Sequence, residues 1–208
     1  MRLSAWDLTI ERGGRRLIAG LSFTADQGVA LIVTGPNGAG KSTLLRALCG
    51  FLPLEAGGFA LEGGDPERTV GEQAHYLGHA DGVKGALTAG ENLAFAAAML
   101  GGQSSREAER AALAQVGLAH AIDFPARLLS AGQRRRVALA RLLIADRPLW
   151  LLDEPATALD AAAQAALLGI MQAHLRGGGI IVAAVHAPLG LDGVREVRLG
   201  VTQVGAAA

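Results

Sequence analysis

The sequence predicts an α/β protein whose core is a mostly parallel sheet covered by helices. Residues 29–34, 149–152 and 180–185 are short, nearly continuous apolar runs, the pattern of strands buried on both faces. Helical segments follow the first two runs, at 42–49 and at about 161–175. Strands and helices that alternate in this way form parallel sheets, and 208 residues are enough for one sizeable core of this kind.

Residues 1–204 are predicted to form a single domain with a short tail at 205–208, because no linker divides the chain. Near the start, polar and apolar residues alternate on both sides of Gly13 and Gly14. This pattern predicts a hairpin within an N-terminal antiparallel β subdomain. From about 86 to 143 the pattern becomes helical, so we expect an inserted helical subdomain beside the parallel sheet.

Composition narrows the classes of partner. Lys and Arg number 19, as do Asp and Glu, so the balanced charge offers no general electrostatic reason to expect a nucleic-acid partner. A single cysteine, Cys49, excludes an internal disulfide and fits a reducing, cytoplasmic setting. The start of the chain lacks a secretory pattern, and no run reaches the roughly 18 apolar residues of a membrane span. If the protein acts at a membrane, we expect a partner to hold it there.

A glycine-rich loop between the first apolar run and the first helix carries the strongest motif. It fits the pattern G-x-x-x-x-G-K-S/T, through Gly35, Pro36, Asn37, Gly38, Ala39, Gly40, Lys41, Ser42 and Thr43. Its glycines let backbone N–H groups turn inward around phosphates, and the helix N-terminus adds partial positive charge. We predict that the loop binds ATP, that Lys41 reaches the β- and γ-phosphates, and that Ser42 binds Mg²⁺. An ordinary strand-to-helix turn is the alternative.

Two acidic residues end the second apolar run. Ligands of parallel α/β sheets lie at the carboxyl ends of the strands, where Asp153 and Glu154 follow residues 149–152. We predict that Asp153 holds Mg²⁺ through water and that Glu154 polarises the attacking water as a general base. A strand that ends in Asp-Glu is by itself more often an ordinary exit into a loop, and it is the phosphate loop that favours the catalytic interpretation.

Residues 129–133, Leu-Ser-Ala-Gly-Gln, resemble the signature motif of the ATP-binding-cassette (ABC) family, whose usual form has Gly in place of Ala131. The resemblance implies the phosphate-loop ATPase fold of that family. It also implies a homodimer in which Ser130 and Gly132 contact the γ-phosphate held by the other subunit, with Gln133 in the same nucleotide-binding motif. We expect Ser130 to cap the next helix. Arginines 134–136 are predicted to form an exposed basic face of that helix or to meet a phosphate.

Two further elements match the family by position, and two positions depart from it. Asp160 follows Glu154 as the D-loop aspartate does, which implies a role at the dimer interface. His186 ends the run 180–185, where the family has a switch histidine that contacts the γ-phosphate. His79 stands in place of the Q-loop glutamine and would bind a water molecule on Mg²⁺. Arg12 stands in place of the aromatic residue that stacks on adenine, a role that a guanidinium can fill.

Within the family, residues 78–84 and the signature variant are similar to the CcmA subgroup, the haem-export ATPases of bacterial cytochrome c biogenesis. This implies that ATP hydrolysis powers haem export, or the release of a haem-loaded chaperone. It also implies integral membrane partner subunits of the CcmB/CcmC kind and a peripheral location at the cytoplasmic face of the inner membrane. The segment 82–92 and the helices after it would meet those partners. No histidine spacing fits haem attachment, so we expect no direct haem binding.

Two alternatives stay open at this point. In the first, the chain is the ATPase of another ABC exporter, which uses the same chemistry. In the second, it is a soluble regulatory module that uses ATP to dimerise. Recovery as a soluble monomer without a membrane partner would contradict both transport hypotheses.

Overall fold

The computed structural model describes residues 1–185 and 189–200, which form two sheets and five α-helices. A three-stranded antiparallel sheet has the order β2-β1-β4, and a five-stranded sheet, parallel throughout, has the order β5-β6-β7-β3-β8. The strands are β1 Arg2–Arg12, β2 Arg15–Asp26, β3 Ala30–Thr34, β4 Ala56–Glu62, β5 Ala74–Leu77, β6 Leu149–Asp153, β7 Ile180–Ala184 and β8 Val194–Arg198. The helices are α1 Lys41–Leu48, α2 Ala89–Met99, α3 Arg106–Gln115, α4 Ala131–Ala140 and α5 Ala161–Arg176.

The predicted hairpin is confirmed as β1 and β2. Arg12 pairs with Arg15, and the two residues between them, Gly13 and Gly14, have φ of 60° and 73°. Positive φ at both central positions suits a two-residue turn whose twist matches that of the strands. Strand β4 then pairs with the other edge of β1 and completes the antiparallel sheet.

Strands β6 and β7 lie at the centre of the parallel sheet and are buried along their whole length, which explains their unbroken apolar sequences. Alternate residues of β6 belong to different cores. Leu149 and Leu151 pack with α1 and the antiparallel sheet, whereas Trp150 and Leu152 pack with α5 and the helices of residues 89–143. The parallel sheet therefore separates two apolar cores.

The helical content predicted for residues 86–143 is present as α2, α3 and α4, with short 3₁₀ turns between and after them. Capping explains where two of these helices begin. Thr88 and Glu91 form a capping box at the start of α2, and Ser130 and Gln133 form one at the start of α4, as expected for Ser130. The division of the chain into domains stays an interpretation.

None of the helices in residues 1–185 and 189–200 combines the length and the apolar character needed to span a bilayer.

A buried histidine predicts how stability depends on pH. His75 Nε2 lies 2.8 Å from the Ala145 carbonyl oxygen, and burial lowers the pKa of His75 from 6.5 to about 4. His174 stacks on Trp150, and burial lowers its pKa as well. Between pH 6.5 and 4, His75 binds more protons in the unfolded chain than in the folded protein. Its contribution to stability is therefore fully present above pH 6.5 and is lost as the pH falls toward 4.

We expect the free energy of unfolding, measured by urea titration, to fall below pH 6.5, with His75 contributing at most about 1.4 kcal/mol per pH unit. The variant His75→Asn lacks this titrating group, so its free energy of unfolding should depend less steeply on pH. Equal slopes in the two proteins would contradict the prediction.

Candidate functional site

The phosphate loop connects β3 to α1, and its backbone requires glycine. Gly35 and Gly40 have φ of 141° and 99°, and Gly40 is the N-cap of α1. A methyl group on Gly35 would lie 2.5 Å from the Leu199 carbonyl oxygen, so no larger residue fits there without a backbone shift. The packing of the loop against the residue after β8 is a contact that the motif alone does not reveal.

The Lys41 side chain folds back over this loop. Its exposed fraction is only 8%, and Nζ donates hydrogen bonds to the Gly35 oxygen at 2.8 Å and to the Pro36 oxygen at 3.3 Å. The ammonium group therefore lies at the mouth of the loop, beside the N-terminus of α1, where an anion would be stabilised by both charges.

Ser42 and Asp153 form the candidate Mg²⁺ site. Ser42 Oγ donates a hydrogen bond to Asp153 Oδ1 at 3.0 Å, across 111 positions of sequence. Asp153 Oδ2 is buried and has no hydrogen-bond partner among residues 1–185 and 189–200. An orphaned carboxylate oxygen beside a hydroxyl fits Mg²⁺, a hard cation that prefers oxygen ligands. The same parts of the chain contain no cluster of three His, Cys, Asp or Glu side chains for a metal, so phosphates and water would supply the remaining ligands.

Glu154 follows in a strained conformation, with φ of 50°. Its N–H donates to the Ala184 oxygen at 2.9 Å, and its carbonyl oxygen accepts from the Thr157 N–H at 3.2 Å, so contacts on both sides hold the turn. Such strain is common at functional sites, and it is consistent with a site in which the direction of the Glu154 carboxylate matters.

Most of the predicted phosphate-loop residues, together with Asp153 and Glu154, line one open cleft of about 470 Å³, whereas Gly35, Pro36 and Ala39 are not among its lining residues. Its lining residues are Arg12, Leu17, Asn37, Gly38, Gly40, Lys41, Ser42, Thr43, His79, Asp153, Glu154 and Thr157. The cleft thus brings together residues from the first hairpin, from β3–α1, and from the loops that follow β5 and β6. Both departures from the family pattern, His79 and Arg12, face this cleft, and their roles stay predictions.

The signature residues lie elsewhere. Ser130, Gly132 and Gln133 are not among the residues lining the cleft. They start α4, where Ser130 is exposed, and a methyl group on Gly132 would lie 2.9 Å from the Ala158 oxygen. Asp160 caps α5, because its Oδ1 accepts from the Ala163 N–H at 2.8 Å, so within one protomer its visible role is structural. His186 lies outside the described residues.

Of the two interpretations given for arginines 134–136, the exposed basic face is wrong for Arg135, and contact with a phosphate stays a prediction. The exposed fraction of Arg135 is 3%, and its guanidinium donates to the carbonyl oxygens of Gly78 and Glu154. Helical spacing was the available signal, since Arg135 lies four positions before the buried Leu139 on the same face of α4. Strand β8 was missed as well, because it is short and largely exposed.

A family model described as ABC transporter matches residues 18–157, about two thirds of the chain. The chain belongs to the ABC transporter family. This ABC ATPase is 56% identical over 200 residues to the cytochrome c biogenesis ATP-binding export protein CcmA of Nitrobacter winogradskyi, covering 96% of this chain and 98% of the relative. The protein of the same name from Bradyrhizobium diazoefficiens is 53% identical over the same shares.

Solved structures agree on the fold. A putative ABC transporter ATP-binding protein from Pyrococcus furiosus superposes with a TM-score of 0.84 at 24% identity, covering 96% of this ABC ATPase and 98% of that chain. A bacterial Atm1-family ABC exporter with ATP bound gives a TM-score of 0.78 at 26% identity, covering 95% of this chain and 37% of that one. The predicted fold class, the family and the ATP-hydrolysing activity are confirmed.

Proposed function

We propose that ATP hydrolysis at this site powers haem export, or the release of a haem-loaded chaperone, in cytochrome c maturation. The observation that carries this proposal is the identity of 50–56% across nearly the whole chain to proteins named cytochrome c biogenesis ATP-binding export proteins. Neither the chain's composition nor its fold favours one exported molecule over another, so the haem-related role depends on this similarity.

The cleft residues support a division of catalytic roles. Lys41 would stabilise negative charge on the phosphates. Glu154 would accept a proton from the attacking water as the water oxygen bonds to the γ-phosphorus and the bond from that phosphorus to the β–γ bridging oxygen breaks, which leaves ADP and phosphate. Ser42 and Asp153 would hold Mg²⁺, which when bound neutralises phosphate charge. His79 would orient a water molecule near that ion, and His186 would contact the γ-phosphate.

A homodimer accounts for the signature residues that the cleft lacks. Ser130 and Ala131 are exposed at the N-terminus of α4, a kind of position that favours anions, yet neither lines the cleft of its own protomer. We infer that two copies pair head to tail, so that residues 130–133 of one copy complete the ATP site of the other. Asp160, exposed at the start of α5, would lie near this interface.

We also propose integral membrane partners of the CcmB/CcmC kind and, with them, a peripheral position at the cytoplasmic face of the inner membrane. A surface groove supports the presence of a protein partner. A groove of about 200 Å³ lies between β5, α2 and the end of α4, and its rim carries Phe95 and Met99. Met99 is 71% exposed, and Phe51, which is 63% exposed, packs its ring against Tyr76 in the groove lining. Exposed apolar side chains that lie together mark interaction sites. Neither a nucleic-acid partner nor direct haem binding is expected.

This partner surface can be tested by co-purification. Met99→Asp places a charge on the groove rim and should abolish retention of the membrane subunits when the tagged protein is isolated from membranes in mild detergent. Val194→Asp is the matched control, since Val194 is also an exposed apolar residue (49%) but lies on β8, away from the groove. Equal retention by both variants would remove the groove from the proposal.

The identity of the retained subunits tests the function itself. Haem-handling membrane proteins, and haem release from the chaperone when ATP is added, would support the cytochrome c assignment. Subunits of an unrelated exporter would overturn that assignment and favour the alternative transporter. Recovery of the protein only as a soluble monomer would contradict both.

A further inference from the structure

Arg135 connects the two loops that follow β5 and β6. Nη1 donates to the Gly78 oxygen at 2.8 Å, on the loop that carries His79. Nη2 donates to the Glu154 oxygen at 2.6 Å and to the Asp153 oxygen at 3.1 Å. A single planar guanidinium on α4 therefore holds the backbone of both loops, and each of these loops contributes residues to the lining of the candidate catalytic cleft.

Burying the Arg135 guanidinium costs desolvation free energy, which only acceptors in a well-defined position can offset. Desolvation lowers the pKa of Arg135, while the charge of Asp81 and its hydrogen bond, at 3.4 Å from Nη1, oppose that effect. Arg135 Nε has no partner within the described parts of the chain. A buried guanidinium is tolerated only where carbonyl oxygens and a carboxylate replace its water, and here those acceptors belong to catalytic loops.

The contact with Glu154 acts where the backbone is under strain. A left-handed φ on a residue other than glycine persists only when surrounding contacts enforce it. Here Arg135 Nη2 donates hydrogen bonds to the carbonyl oxygens of both Asp153 and Glu154. Arg141, the residue directly after α4, donates to the oxygens of Asp81 and Gly82 and holds the far end of the 78–82 loop.

We propose that Arg135 is a positioning residue that fixes the Glu154 carboxylate and the 78–82 loop relative to α4, and so couples the two ATP sites of the dimer. The proposal rests on the roles given above to Glu154 and to the dimer. The N-terminus of α4 meets the nucleotide of the second copy, while Arg135, on the same helix, holds the catalytic loops of its own copy. A displacement of α4 at one site is thereby carried to the other.

The test compares the steady-state kinetics of Arg135→Gln and Arg135→Lys with those of the unmodified protein. Misplacement of a catalytic group by about 1 Å can cost about 100-fold in rate. We expect kcat to fall by about 10- to 100-fold in Arg135→Gln, KM for ATP to change less than about threefold, and cooperativity in ATP to decrease. Lysine can hold one loop but not both, so Arg135→Lys should be intermediate.

Arg147→Gln is the matched control. Arg147 is also buried, at 8% exposure, and its Nη2 donates to the Leu100 oxygen at 2.7 Å, away from the cleft. Its loss should lower the melting temperature while leaving kcat near that of the unmodified protein. If Arg135→Gln does not fold, the Lys variant provides the kinetic comparison.

Two outcomes would overturn the proposal: unchanged kcat and cooperativity in both Arg135 variants, or a loss of kcat that Arg147→Gln reproduces. Glu154→Gln, measured alongside, separates this failure from that of the proposed site. If Glu154→Gln is inactive and the Arg135 variants keep the kcat and the cooperativity of the unmodified protein, only the positioning role fails. If Glu154→Gln hydrolyses ATP at the normal rate, the catalytic assignment fails, and the positioning role fails with it.

Discussion

Replacing Glu154 with Gln is expected to abolish ATP turnover and to leave ATP-bound dimers trapped. The amide keeps the size and most hydrogen bonds of the carboxylate but cannot accept a proton, and general-base catalysis contributes about 100- to 10,000-fold in rate. Binding should persist, because the phosphate loop and the Ser42–Asp153 pair are unchanged. Phosphate release measures turnover, and light scattering with ATP and Mg²⁺ measures the dimer.

Glu62→Gln is the control for loss of one carboxylate. Glu62 is exposed at the end of β4 and accepts a hydrogen bond from Ser4, outside the cleft, so its replacement should leave both measurements unchanged. Undiminished hydrolysis by the Glu154 variant would remove this residue from the role of base.

Mixing two inactive variants is expected to restore hydrolysis if each ATP site is shared between copies. Lys41→Ala removes the ammonium group at the phosphate loop, and loss of one stabilising donor at a reacting centre costs about 100- to 1,000-fold. Gly132→Val places side-chain atoms against the Ala158 oxygen and displaces the start of α4. Each homodimer should then be inactive.

A mixed dimer contains one site with an intact Lys41 on one copy and an intact Gly132 on the other. Random pairing gives mixed dimers in half of the population, each with one functional site of two, so up to roughly a quarter of the unmodified rate should return. If the signature residues served the cleft of their own copy, no site would be intact and mixing would restore nothing. The hydrolysis rate of Lys41→Ala protein mixed only with itself provides the baseline.

The features that were predicted correctly are local in sequence. The phosphate loop, the strands at 149–152 and 180–185, the hairpin around Gly13 and the cap at Ser130 each depend on neighbouring residues. Their periodicity and turn chemistry reflect backbone requirements that hold in any fold. Strand β8 was missed because its residues are largely exposed and the strand is recognised by its pairing with β3, about 160 positions earlier.

Long-range contacts decided the rest of the site. The sequence by itself determined the fold class and a phosphate-binding loop followed by two acids, since those patterns are written in consecutive residues. Only the tertiary structure placed Ser42 beside Asp153 and buried Arg135 between the loops that follow β5 and β6. It also separated the signature residues from the cleft of their own protomer. The physical reason is that the parallel sheet brings strand ends from distant parts of the chain to one edge, where the cost of burying charge selects which side chains meet.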